Sequence, residues 1–323
     1  MRAASVAFCI AFFATICQAQ QPAHFSLFRD NLSAFNPAYT GSDGQLVAGA
    51  LVRQQWTGLS EAPQTQFLQF ELPFEAVSSG LGLTLQNDRL GLQQNVQGAL
   101  AYSFFLRTGK ESRLSAGIRA GLGSMNWNGS EIRTPEGNYS SGATEHRDVI
   151  LPNISFAGQY PILDAGVMYQ RNFVKLGFGV KNLANSSFRY TINNGKIRLV
   201  TNYFFTFATE LEIGEHFRLM PAVLFRSDFI ENQLDVATNF EFFRKFDAGL
   251  GFRGWSSNSR DAVYVMAGLK LSENFRILYA YDFNLSPLRN SNSGSHELML
   301  QYRVNTSIGK ATPERVIYNA RYY

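Results

Sequence analysis

A chain of 323 residues with 45% hydrophobic and 17% charged residues, 28 Phe, 14 Tyr and 27 Gly is too apolar to be disordered, and it carries no collagen or coiled-coil repeat. Its formal net charge of +4 is slight and scattered, so no basic block points to nucleic acid. Beyond residue 19 no run of about 18 apolar residues marks a spanning helix, which leaves a soluble globular protein or a transmembrane β-barrel whose lipid-facing residues are diluted by alternation.

Met1-Arg2, the apolar run Val6–Ala14 and the small residues at Cys17-Gln18-Ala19 read as a signal peptide over residues 1–19, so the chain is expected to be exported. The rival reading, acylation at Cys17, meets a bulky Ile16 where a small residue should stand. Both cysteines, Cys9 and Cys17, fall in the segment expected to be removed, which leaves no disulfide. Residues 20–44 form an N-terminal segment that precedes the alternation.

From residue 45 to 304 the rhythm is period two. Segments near 45–55, 64–72, 80–87, 94–106, 112–123, 163–171, 173–182, 200–212, 217–227, 232–244, 246–255, 261–271, 275–283 and 296–304 alternate apolar and polar residues. Leu114, Ala116, Ile118, Ala120 and Leu122 share one face, against Ser115, Gly117, Arg119 and Gly121. About fourteen such strands predict an all-β fold, a single antiparallel transmembrane barrel. Connections after even-numbered strands are mostly short, whereas several after odd-numbered strands are long, as tight periplasmic turns and longer outer loops require. Aromatic pairs such as Phe204-Phe205, Phe242-Phe243 and Phe104-Phe105 suggest interfacial girdles. Residues 305–323 form a tail beyond the last strand, ending in an aromatic.

If the apolar face meets lipid, the lumen receives Arg119, Lys175, Lys181, Glu210, Arg218, Arg226, Asp235, Glu241, Lys270, Asp282, Glu297 and Arg303, whose mixed signs should pair. Such a wall is either a satisfied charge network or the lining of a solute path. The four histidines, His24, His146, His216 and His296, have no metal-ligand spacing, and no cofactor motif appears. The best catalytic constellation is Ser295, His296 and Glu297 with Asp282 on the preceding strand. Adjacent strand residues point to opposite faces, so it reads as rim polarity and the protein as no enzyme. Glycines such as Gly80 and Gly82 read as strand positions admitting close packing. The polar run Thr134–Arg147 reads as a solvated or partner-contacting loop.

Several of these residues fall into a familiar order. Phe35-Asn36-Pro37-Ala38-Tyr39-Thr40-Gly41, Arg53-Gln54-Gln55-Trp56 with Pro63 and Thr65, Gly80-Leu81-Gly82 through Asp88-Arg89-Leu90-Gly91, Tyr281-Asp282-Phe283, Gly294-Ser295-His296-Glu297 and a closing Arg321-Tyr322-Tyr323 resemble the PorP/SprF family of the Bacteroidota type IX secretion and gliding apparatus. The resemblance implies an outer-membrane barrel. Its partners would be membrane lipid, other secretion components and a secreted surface protein that it helps to export or anchor; a porin-like solute channel is the alternative. It also marks Asn36, Pro37, Tyr39, Gly41, Arg53, Trp56, Pro63, Asp88, Tyr281, Asp282, Gly294, Ser295, His296 and Glu297 as motif and partner-contact candidates. On that reading Pro37 and Gly41 shape a turn, Trp56 anchors at an interface, and Asp282, His296 and Glu297 form a hydrogen-bonded cluster at the rim.

Overall fold

Alternation along the chain produces a wall of antiparallel strands that closes on itself. The computed structural model describes residues 22–139, 146, 155–189, 196–256 and 259–305; segment 1–19, most of the run after Tyr139 and the tail from 306 lie outside them. The strands are β1 (Leu46–Gln54), β2 (Gln64–Phe74), β3 (Ser79–Leu90), β4 (Gln93–Arg107), β5 (Ser112–Trp127), β6 (Phe156–Arg171), β7 (Val174–Lys181), β8 (Ser187–Arg189), β9 (Lys196–Arg198), β10 (Asn202–Ala208), β11 (Leu211–Ile213), β12 (Phe217–Ser227), β13 (Asn232–Phe242), β14 (Phe246–Ser256), β15 (Ser259–Lys270), β16 (Phe275–Asn284) and β17 (Ser295–Val304). β8 and β9 make a separate hairpin, and β10 and β11 are successive parts of one wall strand, so the wall has fourteen strands. It closes where β1 pairs with β17, from Leu46↔Val304 to Gln54↔His296.

The outward face is apolar. Leu100, Ile118 and Leu122 are 67%, 57% and 69% exposed, and Phe178, Leu250, Phe283 and Leu298 share that exposed face. A continuous oily belt of this kind is not tolerated in water, and strands of this length cross a hydrocarbon layer at a tilt. Among the described residues no helix is long and apolar enough to cross a membrane. The rim that carries the Phe74–Ser79, Arg107–Ser112, Arg171–Val174, Ile213–Phe217, Phe242–Phe246 and Lys270–Phe275 turns has only short connections. That rim is the periplasmic one. The opposite rim carries the long 55–63, 128–155, 182–201 and 285–294 connections, with tight ones between.

Two strand limits differ most from those predicted. β6 begins at Phe156, not near 163, and β5 runs on to Trp127. The added lengths carry Asn126, Ala157, Gln159 and Pro161 on the outward side, since strand that rises above the lipid has no need of an apolar face. Phe204 is likewise no girdle residue. It is fully buried and packs on Phe35 with ring centroids 5.5 Å apart, while Phe205 faces out.

The lumen is filled by residues 22–44. This stretch enters at the outer mouth and descends through a 3-10 helix, Phe28–Ala34. A second turn, Pro37–Tyr39, follows, and the chain then reaches β1 at the periplasmic rim. Phe25, Leu27, Phe28 and Phe35 pack against inward Leu51, Phe67, Phe204, Tyr264, Leu278 and Met299. Each contributes roughly 1.5–3 kcal/mol by burial, an upper estimate. The interior therefore mixes an apolar core with charge.

Candidate functional site in the barrel lumen

At the closure seam, strand register sets Arg53 of β1 directly opposite Glu297 of β17, and Asp282 of β16 opposite Ser295. Arg53 bridges Asp282 at 2.6 Å and Glu297 at 2.9 Å, all three at most 2% exposed. Arg253 adds bonds to Asp235 at 2.7 Å and Asp282 at 3.0 Å. The N-terminal segment completes this cluster. The Ser26 and Leu27 amides donate to the two Glu297 oxygens, both at 2.9 Å, and Ser26 Oγ donates to Asp282 at 2.6 Å while accepting from Arg53 and Arg253. A carboxylate held by charge-assisted bonds of this kind fixes geometry.

Deeper in, the Asn36–Gly41 motif lies in a trough of wall glycines. Asn36 caps the Pro37–Tyr39 turn through its Oδ1, which accepts from the Ala38 amide at 2.9 Å, and its Nδ2 donates to the Val167 carbonyl. A Cβ at Gly117 would lie 2.5 Å from Ala38 N, one at Gly179 2.6 Å from the Phe35 carbonyl, and one at Gly80 against the Thr40 carbonyl oxygen. Only glycine admits backbone this close. Tyr39 reaches Thr206 Oγ1 at 2.9 Å, and burial pushes its phenol up to about 12. Gly41 (φ +66°) makes the turn, and its amide donates to Glu71 at 2.8 Å.

The remaining motif residues shape the outer mouth. The Trp56 amide donates to Ser295 Oγ at 3.2 Å, the Pro63 carbonyl accepts from Gln55 N at 2.9 Å, and Asp88 accepts from Thr65 Oγ1 at 2.5 Å. Gly294 (φ +87°) holds the turn under the Tyr281 hydroxyl, which donates to the Ser293 carbonyl at 2.7 Å. Asp282 and Glu297 lie inside the lumen and not on the rim surface. His296 points to the other face and lies 2.7 Å from the Tyr279 hydroxyl. The three are thus no single cluster, and His296 is not placed to serve Ser295, which is buried on the lumen side.

Of the wall charges expected to pair, Arg119 meets Asp164 at 3.2 Å, Lys270 meets Glu241 at 2.5 Å, and Lys175 and Arg303 meet Asp43 of the N-terminal segment. Lys175 above all holds the Asp43 carboxyl well below the usual range. Burial raises Asp30, but Arg276 and Arg29 outweigh it and hold the group low. His24 is driven well below its ordinary value by burial, then by Arg226, Arg253 and Arg53. Sequence reading passed over Arg253, Asp164, Arg276 and Ser26. The first three sit on the inward parity of their strands, which could have marked them; Ser26 carried no such signal.

Two cavities flank the segment. One of about 670 Å³ opens at the periplasmic end and is lined by Arg29, Asp43, Lys175, Glu210 and Lys270 among others. The other, of about 310 Å³, lies at the outer mouth beside His24, Trp56, Arg226 and Asp261. Among the described residues no group of three or more His, Cys, Asp or Glu side chains could hold a metal ion.

Solved structures similar to this chain include the outer membrane protein Omp33 of Acinetobacter baumannii, with 11% identity and a TM-score of 0.45 over 80% of this chain and 98% of that one. The CymD monoaromatic hydrocarbon channel aligns with 10% identity and a TM-score of 0.45, covering 82% and 89% of the two chains. The toluene transporter TbuX of Ralstonia pickettii aligns with 10% identity and a TM-score of 0.43, covering 83% and 91%. Comparison with curated protein sequences gives no significant match. Residues 17–302 match the family described as type IX secretion system membrane protein PorP/SprF, and the chain, a closed outer-membrane barrel, belongs to that family.

Proposed function

We propose that this protein is a non-enzymatic outer-membrane component of the type IX secretion machinery that supports export or surface anchoring of specific partner proteins. It is delivered by an N-terminal export signal over residues 1–19, sits in outer-membrane lipid, and contacts other secretion components and a secreted surface protein. The motif residues serve that role by fixing the N-terminal segment and the mouth loops in one arrangement. The observation that supports the reading is the filled lumen: residues 22–44 occupy the space a solute channel would need, with Phe28 and Ala38 wholly buried. A deletion strain tests it. Specific surface proteins should disappear from the cell exterior while other surface proteins remain; normal display of every surface protein would overturn the reading.

A further inference from the structure

We propose that residues 22–31 form an outer half-plug that swings out of the lumen about Asn31 while residues 33–41 stay seated, joining the two cavities into one aqueous path for small hydrophilic ions. Four observations carry this. First, Pro22 lies at the outer mouth, where its carbonyl accepts from Arg226 Nη1 at 3.1 Å, so the half-plug leaves through that mouth without passing the motif half. Second, the two halves are held differently. The motif half lies in the glycine trough of β3–β7, where backbone meets backbone, whereas the outer half, beyond the apolar packing of Phe25, Leu27 and Phe28, is held at Ser26, Leu27 and Asp30 by wall groups that remain paired without it: Arg53 with Asp282 and Glu297, Arg253 with Asp235 and Asp282, and Arg276 with Asp247. Its departure leaves each of these wall charges with an ionic partner.

Third, a break already exists between the halves. Asn31 has φ −140° and ψ 41° inside the Phe28–Ala34 helix, and its 1% exposed side chain has no hydrogen-bond partner at either amide atom. Hinges are residues that absorb such backbone change. Fourth, the outer-mouth cavity touches the segment at His24, and the periplasmic cavity touches it from Arg29 onward. Residues 25–28, packed on inward wall side chains such as Leu51 and Met299, stand between them.

Amide hydrogen exchange on the full chain purified in detergent tests the proposal. Amides of residues 22–31 should exchange at least tenfold faster than those of residues 34–41. Ser26→Ala, which removes a hydroxyl from the segment and leaves every wall charge in place, should accelerate the first group about a further tenfold and leave the second unchanged. Equal exchange in both halves of the parent chain overturns the proposal, as does a response to Ser26→Ala that both halves share or that neither shows. If Ser26→Ala abolishes the heat-dependent gel shift of a closed barrel, the parent comparison alone decides.

Discussion

Arg53 stands between two carboxylates at the seam where the first and last strands meet, and its exposure of 2% removes water as an alternative partner. Replacing one member of a buried ion pair leaves the other uncompensated, at a cost of about 3–5 kcal/mol. Arg53→Met should therefore lower unfolding stability by that order, read from denaturant unfolding followed by gel mobility. The Arg89–Glu61 pair, half in solvent, predicts the contrast: Arg89→Met should change stability by less than ~1 kcal/mol. Equal effects would mean that the seam cluster is solvated. Gly117 makes a second residue-scale case. Val there would drive its branched side chain into the Pro37–Ala38 backbone, an overpacking of about 1–3 kcal/mol. Gly98→Ala meets only the mobile end of Leu85 and should be nearly neutral. Protection of residues 35–41 from amide exchange should fall in Gly117→Val and hold in Gly98→Ala.

At the scale of elements, the wall was legible because a strand between lipid and lumen must alternate. Val174, Leu176 and Phe178 against Lys175, Gly177 and Gly179 announce both the strand and its two faces. Alternation fades where β5 and β6 leave the membrane, and there the sequence reading stopped short. The lumen segment carried no such imprint, because two 3-10 turns in a cavity follow the shape of the wall and obey no period. Its trace lay instead in the inward glycines opposite it, legible as close packing but not as to what packs.

The segment also has a pH dependence of its own. His24 stays neutral when docked, whereas the free residue protonates near about pH 6.5. Below that pH the undocked segment takes up a proton that the docked one refuses, so docking weakens as pH falls and is complete above it. Exchange of residues 22–31, corrected for intrinsic rates, should rise between about pH 7.5 and 5. His24→Asn should flatten the change, and an unchanged profile in that variant would assign the effect to another group.

For the whole molecule, the question is whether the barrel owes its closure to its filling. The wall strands are bonded around the full circle, from β1 through to β17 and back, and the major buried wall pairs, Arg53–Asp282, Arg119–Asp164, Arg253–Asp235 and Arg276–Asp247, involve no residue of the N-terminal segment. A closed barrel has no edge to repair, so its hydrogen bonds persist when its contents change. Deleting residues 22–44 uncovers Leu51, Tyr264, Leu278 and Met299 and so lowers stability, but it leaves the ladder and the charge pairs intact. The deleted barrel should still show a heat-dependent gel shift, and in a planar bilayer it should conduct ions steadily where the intact chain conducts rarely or not at all. A barrel that keeps its gel shift yet stays closed would mean that the wall side chains alone seal the lumen. One that loses the shift would mean that wall and segment form a single cooperative unit, with the apolar core between them carrying more of the stability than the strand ladder does.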